Sequence, residues 1–287
     1  MRAEYKRVMM LLPLLAACTA AATSGSEPRD RLDMTTWSVV GVDPATGDVG
    51  VVMASCVPGT LADALAALVP GKGAAATQAS FDVNNRNRVF EALKQGLPAE
   101  EVIRIATDTT VDTRLGSRQY GVVTMSGGTV RTAGFTGKPM LDGAAAPDSR
   151  RYAGIRADAS KGVSVQGNTL AAPAVVGNAL AAYVWDDPVG FNTLPDRLMR
   201  AIEAGSAAGG DVRCNTDVVR QTAATAMIVV ARGTDAPYAT ERIGMSDQGT
   251  PKAPWLALSV TVSRDVKDNP LLELRRRYDE WRRTARR

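Results

Sequence analysis

The sequence predicts an α+β fold of antiparallel sheets with helices on their outer faces. Three observations carry this. Strand-like runs come in neighbouring pairs joined by tight turns, and these pairs lie between pairs of helical segments, not in a strict strand–helix–strand rhythm. No G-x-G-x-x-G or Walker pattern sits at a strand–helix turn. The apolar fraction is 45% with only 5% aromatic, and Ala, Val and Gly dominate it, so a core of small side chains in close layers is expected.

The elements follow in order. Thr36–Val42 and Val49–Ser55 read as strands joined by Asp43-Pro44-Ala45-Thr46-Gly47-Asp48, where an early Pro and a late Gly suit a tight turn. Thr60–Leu68 is expected to be a short helix broken by Pro70-Gly71-Lys72-Gly73, with a third strand over Ala74–Ser80. Helices are expected over Asn87–Gln95, stopped by Gly96, and over Pro98–Ala106, with Pro98 and the acids Glu100 and Glu101 at its start, where the helix dipole favours them. Tyr120–Met125 and Thr129–Ala133 form a second hairpin across Ser126-Gly127-Gly128. Tyr152–Ile155 is a weak strand, and Gly162–Gln166 is a strand leading into Gly167-Asn168. Ala174–Trp185 and Leu194–Ala204 read as amphipathic helices, Thr222–Ala231 as a buried strand and Trp255–Val262 as the last strand. Pro270–Arg283 is a terminal helix capped by Asp268-Asn269.

Ahead of these elements lies a leader. Arg2, Lys6 and Arg7 precede a short apolar stretch, Val8 to Ala17, too short for a mature membrane helix. It ends in Leu15-Ala16-Ala17-Cys18, which resembles a bacterial lipobox with Cys18 as the acylated new N-terminus. The alternative is ordinary signal-peptidase cleavage after Ala20 or Ala22. Residues 1–18 are thus expected to be a lipoprotein-type signal with its lipidated Cys18, residues 19–35 a flexible tether, and residues 36–287 a single domain ending in a basic helix. Thr19 in place of Asp points to the periplasmic side of an outer membrane, if the cell is Gram-negative.

The formal net charge is +4, and all of it belongs to residues 264–287, which hold nine Lys/Arg and five Asp/Glu. A chain-wide nucleic-acid surface is therefore not expected. Setting Cys18 aside leaves Cys56 and Cys214, an even pair in an oxidising compartment. A disulfide between them is expected, two unrelated buried thiols being the alternative. No Cys/His cluster exists for zinc or iron–sulfur, nothing spells an EF-hand loop, and no cofactor is expected.

The chain contains no histidine. Ser-His-Asp and Cys-His pairs are therefore excluded. Among the hydrolytic arrangements still open is a strand-leading Thr that uses its own α-amine as base, with a reference pKa of about 7.7–8.0. Thr36 leads the first strand; the alternative is that it only starts a strand, as β-branched residues do.

The string Thr36-Trp37-Ser38-Val39-Val40-Gly41-Val42-Asp43-Pro44-Ala45-Thr46-Gly47-Asp48, with its second strand ending in Ala54-Ser55-Cys56, resembles the opening of the domain of unknown function 1028 family. The segments Gly73–Ala79, Gly96–Glu101, Arg118–Val123, Phe135–Gly137, Val165–Asn168, Ala208–Cys214 and Leu274–Trp281 follow in the family's order, so the resemblance spans about Thr36 to Arg283. The family is similar to the N-terminal-nucleophile (Ntn) hydrolases. That likeness implies a four-layer αββα sandwich, with Thr36 as nucleophile, its free amine as base, backbone N–H groups at the oxyanion and a small amide or peptide as substrate. It requires a cut between Thr35 and Thr36. It also leaves open homo-oligomerisation, and a non-catalytic ligand-binding lipoprotein on the same fold.

Gln166 and Asn168 are the favoured second element, as amide donors at a strand end. Asp43 is a further candidate for tuning Thr36, although Asp-Pro is more often a turn. Ser55 and Thr77 are candidates to line the pocket, and Lys72 is a loop candidate. Asp211 with Arg213 reads as an internal ion pair. The arginines from Arg275 onward read as the solvated face of a helix whose Leu274, Tyr278 and Trp281 pack inward.

Overall fold

The computed structural model describes residues 36–57, 59, 65–145, 151–215, 221–239, 254–263 and 269–285. The leader, Cys18, the tether to residue 35, residues 60–64, Asp268, Arg286 and Arg287 lie outside them. The chain runs β1 (Thr36–Asp43), β2 (Asp48–Ser55), β3 (Ala66–Val69), β4 (Gly73–Ala79), α1 (Val83–Lys94), α2 (Ala99–Ala106), β5 (Arg118–Ser126), β6 (Thr129–Thr136), α3 (Lys138–Ala145), β7 (Tyr152–Asp158), β8 (Val163–Leu170), α4 (Ala174–Val184), α5 (Leu194–Ala207), β9 (Thr225–Ala231), β10 (Tyr238–Ala239), β11 (Leu256–Thr261) and α6 (Pro270–Ala285). Among the described residues these make six helices and two sheets. One sheet has the order β11-β9-β2-β1-β8-β7 and the other β10-β3-β4-β5-β6, and every pairing is antiparallel.

Three apolar clusters tie the elements together. Val176 and Ala179 of α4, Leu198 and Ile202 of α5, and Leu274 and Tyr278 of α6 pack on Trp37, Val39, Val52 and Ile228 of the six-stranded sheet. Val89, Leu93 and Val102 of α1 and α2 pack on Ala75 and Val122 of the five-stranded sheet. Side chains from both sheets meet in the third cluster, which joins Val40, Val42, Val51 and Met227 to Ala74, Ala76 and Val123. Strand alternation makes this possible: Val39 and Val40 point to opposite faces, and both are fully buried. Trp37 lies on the helix side of β1 against α5, where a Cβ at Gly205 would come within 2.7 Å of its Nε1. Truncating a side chain of that size to Ala costs on the order of 3–5 kcal/mol.

The β1–β2 hairpin is as expected. Asp43 pairs with Asp48, Gly47 N–H donates to Asp43 O at 2.8 Å, and Gly47 takes the left-handed φ of 78° that the turn needs. The helix expected over Thr60–Leu68 is corrected within its described part. Ala66–Val69 is a strand paired to β4 through the Pro70–Lys72 turn, and all four of its residues are buried. With both faces covered, the run shows no alternation to set it apart from helix. Helix α1 starts four residues earlier than expected, because the Asp82 carboxylate accepts from Asn84 and Asn85 N–H and caps it. Strand β8 runs through Gly167-Asn168 to Leu170, and β9 starts at Thr225 instead of Thr222. Helix α3 and the short β10 have no counterpart in the sequence reading.

The terminal helix docks as the spacing implied. Leu274 and Tyr278 are buried, and Trp281 packs edge-on against Trp255. The Asp196 carboxylate serves two elements. One oxygen accepts from Thr193 N–H and hydroxyl to cap α5, and the other accepts from Tyr278 hydroxyl and Arg282 Nε. Arg275 pairs with Glu203 and Arg276 with Glu273, so much of the basic run is met within the chain.

Candidate active site

Thr36 is fully buried at the head of β1, an inner strand, opposite Ser55. Period-two alternation puts Thr36 and Ser38 on the same face as Val40 and Val42, toward the other sheet. Ser164, Gln166 and Asn168 share the equivalent face of β8, as do Gln78 on β4 and Gln119 on β5. The space between the sheets therefore has two halves. The half toward the Asp43 turn is apolar, and the half around Thr36 is built of amides and hydroxyls.

These groups form one chain of hydrogen bonds in a single direction. Ser164 Oγ donates to Gln166 Oε1 at 3.0 Å, and Gln166 Nε2 to Ser38 Oγ at 2.5 Å. Ser38 Oγ donates to Gln78 Oε1 at 2.6 Å. Gln78 Nε2 then donates to Thr36 O at 3.1 Å and to Gln119 Oε1 at 2.7 Å. Gln119 Nε2 ends the chain on Thr136 Oγ1 and Gly167 O, both at 2.9 Å, and its Oε1 also accepts from Asn168 Nδ2 at 2.9 Å. Aligned bonds of this kind polarise one another. Among the described residues, the side chains of this hydrogen-bond chain are all amides and hydroxyls, none of them ionisable near neutral pH. The second Nδ2 proton and the Oδ1 of Asn168 have no partner among the described residues.

The backbone here is unusual. Ala79, after Gln78, has φ 70°, and Thr169, after Asn168, has φ 53°. Such angles are costly for residues with a Cβ, most of all for a β-branched Thr. The surroundings hold both bends: Ser80 N–H donates to Ser117 O, and Thr169 O accepts from Val212 N–H.

Two charged clusters flank the amides without joining them. Next to Gln119, the buried Arg118 guanidinium donates to Asp112 at 2.8 Å and Asp82 at 3.2 Å, and also to Ser80 O. Asn85 Nδ2 donates to Asp112 at 2.5 Å and to the Tyr120 hydroxyl at 2.8 Å. Burial works against ionising Asp112, but hydrogen bonds from Arg118, Arg114 N–H and Asn85 outweigh it and hold the carboxyl at about 2. Burial pushes the Tyr120 phenol up to about 12. Beyond Ser55, Cys56 is disulfide-bonded to Cys214, and buried Asp211 accepts from Cys56 N–H while pairing with Arg213 at 2.9 Å. The expected disulfide and internal ion pair are both present.

Of the sequence-derived candidates, the structure brings Thr36, Gln166 and Asn168 into one network. Ser55 pairs with Thr36, but its Oγ accepts from Val57 N–H. Thr77 Oγ1 donates to Leu65 O on the other face of β4. Lys72 lies in the β3–β4 turn, where its amine donates to Lys94 O. Asp43 is not in the site. It ends β1 seven residues from Thr36, about 23 Å along the strand, and its Oδ1 accepts from Ala45 N–H. Sequence reasoning missed Ser38, Gln78, Gln119, Ser164 and Thr136 as site residues. The available signal was parity, since each strand that places apolar residues on the inter-sheet face places its polar ones at the same parity.

The family model described as "Family of unknown function (DUF1028)" matches residues 36–265. The chain belongs to the DUF1028 family. The family match begins at Thr36 and bears out the resemblance read from motif order. Among solved structures, the chain is similar to protein SPO2555 from Silicibacter pomeroyi, of the same family. Identity is 20% and the TM-score 0.60, over 86% of this chain and 88% of that one, a likeness that carries the fold. No curated protein matches. Among the described residues no group of His, Cys, Asp and Glu could hold a metal ion, and no helix is long and apolar enough to cross a membrane.

Proposed function

We propose that this DUF1028 protein is an exported amide hydrolase of the Ntn type, with Thr36 as its nucleophile after the Thr35–Thr36 bond is cut. The observation that carries this reading is the setting of Thr36. It heads an inner strand, Gln78 holds its carbonyl, and the described side chains of the network beside it are neutral amides and hydroxyls. An amine created at Thr36 itself would supply the base that this network lacks. The arrangement of helices on the outer faces of two packed sheets, with a family match that begins at Thr36, supports the four-layer Ntn comparison. The disulfide fits an oxidising compartment, in keeping with export, and the cut before Thr36 would release the domain from a lipid anchor at Cys18.

The chemistry balances with groups at hand. The α-amine takes the hydroxyl proton as Oγ1 attacks the amide carbonyl. Asn168 follows Gly167, which pairs with Trp37, and its Nδ2, with one proton uncommitted, would donate to the oxyanion. The proton then goes to the leaving amine, and water hydrolyses the Thr36 ester to release the acid. Activity is expected to rise through about pH 7–8, as the amine loses its proton.

A second reading rests on the complete burial of Thr36 in the full chain. On that reading the domain is a non-catalytic binding module. Intact-mass and N-terminal analysis of the mature protein from its host's envelope separates the two. A start at Thr36, with hydrolysis in a small-amide panel that Thr36→Ala abolishes, supports the enzyme. An acylated Cys18 start with the Thr35–Thr36 bond intact, and no hydrolysis, refutes it.

A further inference from the structure

The turn end of β1, opposite Thr36, carries a separate polar cavity of about 180 Å³. Its polar lining is Asp43, Ser160, Lys161, Tyr183, Asn192 and Arg197. Tyr183 is 1% exposed, and its hydroxyl lies against Gly41, where a Cβ would come within 2.6 Å of it. That hydroxyl has no hydrogen-bond partner among the described residues. The hydroxyl opens onto the cavity, where a ligand or water can pair with it, and a Phe would fill the same space without that capacity.

The charges around the hydroxyl have capacity to spare. Arg197 spends one proton each on Asn192 O, Tyr183 O and Asp186, which leaves one on each terminal nitrogen. Lys161 stands 3.9 Å from Asp186, beyond hydrogen-bond range. Asp43 Oδ1 accepts from Ala45 N–H, which leaves Oδ2. Donors thus come from Tyr183, Lys161 and Arg197, and an acceptor from Asp43. Lys161 and Arg197 line the cavity together with Asp43, and both lie within 4 Å of Asp186 beside it, so two cations are set against two carboxylates. A ligand with net charge would upset that balance, while one carrying both signs would not.

We propose that this cavity binds a small zwitterion, a free α-amino acid, with its carboxylate on Tyr183, Lys161 and Arg197 and its ammonium on Asp43. The volume equals roughly six waters at about 30 Å³ each, which suits an alanine-sized molecule. The site makes no use of Thr36 chemistry.

Calorimetric titration of the full chain with L-alanine, acetate and ethylamine tests this. Alanine should bind with a Kd of about 1 mM or tighter, and more tightly than either half-molecule. Tyr183→Phe should weaken alanine about tenfold while the Tm of the free protein stays level or rises. Lys161→Gln, at an exposed position, should weaken it too. Asp43→Asn should abolish the preference for alanine over acetate. The proposal is overturned if alanine gives no heat up to ~50 mM, if acetate binds as well as alanine, or if neither Tyr183→Phe nor Lys161→Gln weakens binding.

Discussion

Replacing Gly121 with Ala tests whether the amide network is built as described. Gly121 lies in β5 between Gln119 and Val123, and the Gln166 amide rests directly on it. A Cβ there would lie 1.8 Å from Gln166 Oε1, 2.2 Å from Cδ and 2.7 Å from Nε2. Reaching ordinary contact requires the amide to move by about 1.5 Å or more. It would then lose its bonds to Ser38 and Ser164, which strands buried polar groups at about 1–3 kcal/mol each. Against this, Ala lowers the entropy of the unfolded chain by about 0.4–1 kcal/mol. The expected net loss is about 2–4 kcal/mol, or roughly 5–15 °C in Tm for a domain of this size. Urea unfolding of Gly121→Ala, Gln166→Ala and the double variant gives the decisive quantity. Without the Gln166 side chain the new methyl meets little, so the two costs should fall short of additivity by about 2 kcal/mol or more. A coupling under about 0.5 kcal/mol would refute the account, because independent sites behave that way.

Two further outcomes follow from the flanking clusters. The folded-state pKa of Asp112 is depressed to about 2 from 3.8, so its stabilisation is present above about pH 4 and lost as pH falls toward 2. Asp112→Asn should cost about 1–3 kcal/mol at neutral pH and flatten the acid limb of stability, as read from urea midpoints at pH 6 and pH 3. Replacing Cys56 and Cys214 together by Ala should cost about 3–5 kcal/mol, given a sequence separation of 158, and a thiol reductant should lower the Tm of the parent protein but not of the double variant.

Much of the fold was legible because its signals were local. Asp43-Pro44 and Gly47 define a turn within six residues, and Leu274, Tyr278 and Trp281 declare a helix face by their spacing. The segment at Ala66–Val69 was misread because burial on both faces erases periodicity. Residue Asp82 starts α1 through a cap bond that a single acidic residue before Val83 announces only weakly. The candidate site was half legible. Thr36 and the Gln166–Asn168 pair stood out at strand ends. Gln78 and Gln119 did not, because each gains its meaning from partners 40 or more residues away, such as Ser38 and Gly167 across the inter-sheet space. Only the stacking of two sheets brings those partners together.

The Cys56–Cys214 bond also shapes how the chain carries load. A pull between its two ends runs through β1 and β2, crosses the sulfur bridge, and leaves through β9, β10, β11 and α6. Four of those strands, β11-β9-β2-β1, are consecutive neighbours in one sheet. Everything from Val57 to Arg213, including β3–β8 and all helices from α1 to α5, sits in a closed loop outside the line of force. Roughly 500 Å of extended chain is thereby withheld from stretching. Tension between the two ends would load the Thr36 strand and its two neighbours on one side first, while the opposite sheet kept its four enclosed strands unloaded.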